Sequence, residues 1–390
     1  MKKSGLNDFG DNTFVRNYEK VLSTNTQKLQ KITNIGYIAG RLELMYNLVR
    51  RLQLVDYIKR NPSVKKIPVR APVFVTGMPR SGTTFLHRLL SLDPSVRAPF
   101  LWELMSPIPR TESKSSIDLN NDREIRMKWA RKVIDRRRQL GDHALVHIHE
   151  VNSDLPEECI ITLADEVPVN LMLFYSSYMN SNLFFNDMNI KQAYEKHKEY
   201  LQVLSAQTDE SSNPRRWMLK CPMHLWFMKD LLNVFPDAQL IWTHRHPINA
   251  VTSMCSLMRA IHQMYFEPDG RDDIALGEKI KEISEKGFTE CSEFLKKTSM
   301  PCVHTIYNDL IANPIECIKN IYKELGWQFT KEYETILLDF LAEDKKKRNN
   351  VKKNKGEHVY KPEEFGLTEE ILSKGIFEDY IKQYNLPMSR

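Results

Sequence analysis

At 390 residues, with 42% hydrophobic and 27% charged residues, the chain can form one large α/β domain or two smaller ones without a disulfide or metal staple. Fourteen Gly and nineteen Pro exclude collagen-like and low-complexity classes. The net charge of +6 favours anionic partners without indicating nucleic acid.

The six cysteines form no CxxC pair, which argues for reduced thiols and against a zinc site or a redox dithiol. The opening MKKSGLNDFGDNTF has no apolar h-region, and no apolar run is long enough to span a bilayer. A cytoplasmic protein without a membrane span is therefore expected.

In chain order, a polar start gives way to a helical stretch over roughly 16–60, with apolar residues at spacings of three and four from Ile35 to Ile58. Pro62 and Pro68 break it. Pro72 to Thr76 reads as a buried strand, Gly77 to Thr84 as a loop, and Phe85 to Leu90 as the apolar face of a helix. A basic helix is predicted over 122–140, and 157–178 is apolar and aromatic. Trp217–Lys220, Gln239–Thr243 and Cys302–Ile306 read as further strands, with helices from Pro222 to Phe235 and from Ile248. Residues 343–361 read as a lysine-rich loop, and the chain turns helical again from Glu363. Strands alternating with helices predict a parallel sheet flanked by helices on both faces. The expected organisation is a helical extension over 1–68, an α/β core over 69–330, and a basic loop and helical cap over 331–390 belonging to the same domain.

Gly77-x4-Gly82-Thr83-Thr84 has the glycine spacing of a phosphate-binding loop, in which backbone amides and a helix N-terminus converge on an anion. Thr83 stands where a nucleotide-triphosphate loop has its lysine. The strand 239–243 ends in His244-Arg245-His246 rather than in the acid that would hold Mg2+. One phosphate at the loop and a second at Arg245, with no metal, suits a nucleotide carrying two separate phosphate groups.

At these residues the sequence resembles the sulfotransferases that use adenosine 3′-phosphate 5′-phosphosulfate (PAPS). PVFVTGMPRSGTTFLHRLL is similar to their 5′-phosphosulfate loop, and THRHPINAVTS to their 3′-phosphate motif. The motif order is similar to that of the PRSGTT-type branch and the tyrosylprotein sulfotransferases. The resemblance spans roughly residues 70–330 and implies a P-loop-type parallel sheet. It implies that Arg80, Ser81, Gly82, Thr83 and Thr84 hold the 5′-phosphosulfate, and that Arg245 and Ser253 hold the 3′-phosphate. Lys220 would meet the sulfuryl group and bridging oxygen, and Tyr307 would lie near the nucleotide. Glu103 falls near the tyrosylprotein enzymes' general base, with His149, Glu150 and His224 as alternatives. Lys352–Tyr360 stands where the cytosolic enzymes carry RKGxxGDWKN. Within it Lys355 and Gly356 are the candidates to close over the 3′-phosphate.

The implied activity is transfer of a sulfuryl group from PAPS to a hydroxyl or amine, releasing adenosine 3′,5′-bisphosphate (PAP), with no metal required. A small apolar acceptor is expected from the aromatic middle section, with a peptide or carbohydrate left open, no nucleic-acid partner, and a homodimer possible. The competing readings are a P-loop kinase or NTPase, and a non-catalytic binder of nucleic acid or another anionic ligand built on the basic segments.

Overall fold

The computed structural model describes residues 5–25, 31–111, 115–139, 151–169, 188–208, 215–354 and 361–388. Five strands, β1 (Val73–Gly77), β2 (Val96–Arg97), β3 (Arg216–Lys220), β4 (Gln239–His244) and β5 (Cys302–Ile306), form one sheet in the order β2-β3-β1-β4-β5. Every pairing is parallel, with Val75 opposite Lys220 on one side of β1 and Gly77 opposite Thr243 on the other. The edge strand β2 is too short for sequence periodicity to reveal. The other four follow the predicted segments within a residue or two.

Both faces of the sheet are buried, as parallel sheets require. Side chains alternate along each strand, so Val73, Val75, Met218 and Ile241 pack on one face with Leu86, Leu89 and Tyr322. Phe74, Leu219, Leu240 and Trp242 pack on the other face, with Tyr194, Leu231, Val251 and Phe288. Helices Thr83–Leu90 and Pro314–Glu324 cover the first face; Ile190–Ser205, Met228–Val234, Pro247–Tyr265 and Asp273–Lys296 cover the second.

The predicted N-terminal helix divides into Thr13–Asn25 and Asn34–Arg60. The second is tied to the core by buried charge. Arg50 Nε donates to Asp165 Oδ2 at 2.9 Å, Arg50 Nη2 donates to the Ile161 carbonyl at 2.5 Å, and Arg51 pairs with Glu166. Tyr200 also donates its hydroxyl to Asp165. The segment expected to be one helix over Pro222–Phe235 is instead a 3₁₀ turn, Pro222–Trp226, followed by a helix only from Met228 to Val234.

The C-terminal region corrects one expectation. The lysine-rich stretch read as a loop from residue 343 continues a helix, Lys331–Asn354. It contains neither Gly nor Pro, and lysine is a good helix former whether or not it has apolar neighbours. Lys355 and Gly356 lie outside the described residues. The last helix, Ile376–Tyr384, returns to the sheet and packs Tyr380 and Tyr384 against His244.

The ion pair beneath helix Asn34–Arg60 yields a stability prediction. Arg50→Ala leaves the buried Asp165 without its ion-pair partner, so urea unfolding should show a loss of about 3–5 kcal/mol. Replacing Arg50 by Met and Asp165 by Leu together should cost less than Arg50→Ala alone.

Candidate active site

The parallel register places the carboxyl ends of β1, β3 and β4 side by side, where ligand sites form in open α/β sheets. β1 runs into the glycine loop. Gly77 has φ +149°, and a Cβ there would lie 2.4 Å from Thr243 Oγ1, so no side chain fits. Met78-Pro79-Arg80-Ser81 then makes a tight turn, with the Ser81 amide donating to the Met78 carbonyl at 3.1 Å. Proline followed by a positive φ is the pattern of a type II turn. Here the left-handed position, usually a glycine, is Arg80, with φ +72°. Such strain costs about 1–3 kcal/mol and collects at functional sites.

The loop is held against β4. Ser81 Oγ donates to the Met78 carbonyl at 2.6 Å and shares a hydrogen bond with Thr243 Oγ1 at 2.7 Å. The buried Ser81 hydroxyl therefore locks the loop rather than facing outward. Gly82, with φ +93°, caps helix Thr83–Leu90. A Cβ on Gly82 would lie 2.9 Å from the Tyr307 ring. The first amides of that helix have no intrahelical acceptor, an arrangement that suits an anion.

Residues far apart in sequence converge here. Arg80 Nε donates to Ser253 Oγ at 3.2 Å, and Arg245 Nη1 donates to the Arg80 carbonyl at 2.8 Å. The Arg245 guanidinium lies 4.2 Å over the Tyr307 ring. Arg245 Nε is buried and finds no acceptor among the described residues. Two guanidinium groups, a hydroxyl, an aromatic face and an unsatisfied donor suit a phosphorylated nucleotide.

Behind Arg245 the C-terminal helix fixes the end of β4. His244 Nδ1 meets the Tyr380 hydroxyl at 2.8 Å, His244 Nε2 meets His304 Nδ1 at 2.9 Å, and the Tyr384 ring stacks on His244 at 3.8 Å. Burial, reinforced by neighbouring His304, holds His244 well below the usual histidine range. Its neutral ring can share both hydrogen bonds.

On the other side of the loop, Lys220 ends β3. Its side chain is 1% exposed, and Nζ reaches Thr84 Oγ1 at 3.3 Å and Glu158 Oε1 at 2.5 Å. Burial alone would lower the lysine pKa, but the Glu158 and Glu157 carboxylates outweigh it and hold Lys220 above its ordinary value. Lys220 therefore carries its charge throughout the neutral range. The Cys159 amide donates to the Lys220 carbonyl at 2.9 Å, which places the preceding Glu158 beside the ammonium. Glu158 is not among the residues that the sequence singles out. Its only signal was a pair of acids, Glu157 and Glu158, ahead of an apolar run, a pattern also made by ordinary helix capping.

The other candidate bases lie elsewhere. Glu103 caps its own short helix, Leu101–Met105: Oε2 accepts from the Phe100 amide at 2.9 Å, and Oε1 pairs with Arg97 Nη2 at 3.2 Å. His224 packs in the core, edge-on to Phe74 with ring centroids 4.9 Å apart, and Nδ1 meets the Tyr194 hydroxyl at 2.8 Å. Burial, with His197 and Lys220 nearby, keeps it well below the usual histidine range. His149 and Glu150 lie outside the described residues.

The comparisons with known proteins agree with this architecture. The family described as "Sulfotransferase family" matches residues 72–331, well over half of the chain. The protein belongs to the sulfotransferase family. No curated protein matches the sequence. Among solved structures, the sulfotransferase STF9 from Mycobacterium avium superposes with a TM-score of 0.79 at 24% identity, covering 99% of this chain and 95% of that one. The sulfotransferase STF1 from Mycobacterium tuberculosis H37Rv gives 0.74 at 24% identity, covering 97% and 96%. At that identity the likeness establishes a shared fold.

The buried histidines set a pH dependence of stability. Burial, followed by the charge of Lys220, lowers His87 to about 3, and burial lowers His197 to about 3. The unfolded chain takes up these protons below about pH 6.5, whereas the folded chain refuses them down to about 3. Their contribution to stability is complete above about pH 6.5 and should fall as the pH drops through that window. Melting temperatures between pH 7.5 and pH 5 measure the effect, and His197→Gln should flatten the slope.

Proposed function

We propose that this sulfotransferase takes its sulfuryl group from PAPS, transfers it to a hydroxyl or amine of a small apolar acceptor, and releases PAP. The observation that carries this reading is the meeting of Arg80, Ser253 and Arg245 at the end of β4, next to the glycine loop and across it from Lys220. The loop amides and Arg80 would receive the 5′-phosphosulfate, and Arg245 and Ser253 the 3′-phosphate, with Tyr307 packed beneath Arg245. PAPS supplies an activated sulfuryl group on a good leaving group.

The chain's own residues would then do three things. The loop and Arg80 orient the donor for in-line displacement at sulfur. Lys220, kept charged by Glu158, stabilises the negative charge that grows on the departing bridging oxygen. Glu158, its side chain 20% exposed beside Lys220, takes the acceptor's proton as general base. This assignment prefers Glu158 because it touches Lys220, whereas Glu103 is held by Phe100 and Arg97 at the start of its own helix. The position of a triphosphate-loop lysine is Thr83, so a kinase reading lacks its phosphate clamp.

A nucleotide panel tests the donor. Native-state ligands raise the melting temperature, so PAP should raise it and ATP with Mg2+ should not. The opposite pattern overturns the assignment. Arg245→Ala should weaken PAP binding by about tenfold to a hundredfold.

A second set of variants separates the bases in acceptor turnover with labelled PAPS. Glu158→Gln should lower turnover by about 10²–10⁴-fold with PAP affinity retained. Lys220→Ala should lower it by about 10²–10³-fold. Glu103→Gln should lower the melting temperature and leave turnover near normal; a large loss of turnover there would return the base role to Glu103.

A further inference from the structure

Helix Asn34–Arg60 is apolar on two opposite sides. Its inner side is held too closely to rotate. A Cβ on Gly36 would lie 2.6 Å from the Tyr265 carbonyl oxygen, and the Thr33 amide donates to that same oxygen at 2.9 Å. The residues facing away from this contact must therefore point outward. They include Ile35, Tyr37, Ile38, Leu42, Met45 and Tyr46, which are 47, 61, 53, 41, 49 and 41% exposed. Positions 35, 38, 42 and 45 follow the three-four rhythm of a single helical stripe, which a soluble helix normally turns inward.

The stripe has a cationic border. Tyr46 meets Trp129 in a T-shaped contact with ring centroids 6.0 Å apart, which joins the stripe to helix Ser116–Gln139. On that helix Ile125, Lys128, Trp129, Lys132 and Arg136 recur at spacings of three and four and share one face. Ile125 is 49% exposed, and Lys128, Lys132 and Arg136 are exposed as well. The ion pair of Lys128 with Glu124 lies in solvent and contributes little. Arg41 is exposed within the stripe itself.

We propose that this face docks on an anionic lipid bilayer, with Ile38 and Leu42 entering the boundary between headgroups and acyl chains. Arg41, Lys128, Lys132 and Arg136 then lie among the lipid phosphates. Charge selects this occupant. A second copy of the chain, docked through the same patch by a two-fold axis, would set these cations against each other. A neutral apolar partner would offer these cations no counter-charge of its own. An anionic bilayer supplies an apolar layer and a negative rim in the same arrangement as the protein face. Tyr37 and Tyr46 suit that boundary, where amphipathic rings collect. The long Lys and Arg stems reach past apolar neighbours to the headgroups. The attachment is peripheral, because no helix among the described residues is long and apolar enough to cross a membrane.

Co-sedimentation of the full chain with vesicles tests the proposal. Vesicles of phosphatidylcholine containing about one-third phosphatidylserine should bind it at least about tenfold more tightly than phosphatidylcholine alone, and added salt should weaken the binding. The pair Ile38→Glu with Leu42→Glu, and separately Lys132→Glu with Arg136→Glu, should each lower the affinity for anionic vesicles by at least about tenfold. All four positions are exposed, so both double variants should keep the wild-type melting temperature. Failure of the wild-type chain to sediment with anionic vesicles overturns the proposal. So does binding that survives Ile38→Glu with Leu42→Glu, since the ridge would then take no part. A dimer in sedimentation equilibrium that the same pair dissociates would assign the face to a second copy instead.

Discussion

The close approach of the glycine loop to the end of β4 is the constraint on which the site depends. Gly77 leaves no room for a side chain, and Ser81 shares a hydrogen bond with Thr243, so the loop is clamped to the neighbouring strand. With the loop in that place, Arg80 is forced into a left-handed conformation and its guanidinium reaches Ser253. Its carbonyl accepts a hydrogen bond from Arg245. One backbone contact thus sets the spacing between the two cationic groups proposed to grip opposite ends of a nucleotide. A side chain at Gly77 would push the loop off β4 and separate them.

A second constraint is the cost of burying an ammonium group. Lys220 sits at the end of a central strand with its side chain 1% exposed, where an uncompensated charge would be expelled or neutralised. Glu158 and Glu157 keep it charged, so its proposed role in stabilising negative charge and the carboxylate proposed to accept a proton are supplied by the same pair. The C-terminal helix plays a comparable supporting part on the other flank. Tyr380 and Tyr384 hold His244 in place, and Arg245 follows it directly in the chain. The last elements of the chain therefore help to define a candidate site whose glycine loop lies near residue 80.

Residues whose neighbours in sequence are also their partners in space were legible. The strand, loop and helix from Val73 to Leu90 form a local unit, and glycine spacing reports it directly. The lysine at the end of β3 and the arginine after β4 were legible for a related reason: both occupy strand ends, and strand ends in a parallel sheet share one edge. Glu158 was not legible. It reaches Lys220 through a backbone hydrogen bond across 61 positions, from Cys159 to Lys220, and nothing in Pro156-Glu157-Glu158 announces that contact. Glu103 drew attention by motif position, while its carboxylate is taken up by the local demands of a helix start. The helix Lys331–Asn354 was hidden for a different reason, since its C-terminal half has no apolar stripe and periodicity has nothing to detect.

The sequence by itself determined the class of fold, the glycine loop between strand and helix, and the cations proposed to serve it. These follow from alternation, glycine spacing and charge type, all of which are local. Only the tertiary structure decided which carboxylate stands beside the lysine, which serine hydroxyl is spent on locking the loop, and which side of helix Asn34–Arg60 faces outward. Those outcomes depend on strand order and on close contacts between distant segments. A residue's chemistry is written in the chain, but its partners are chosen by packing.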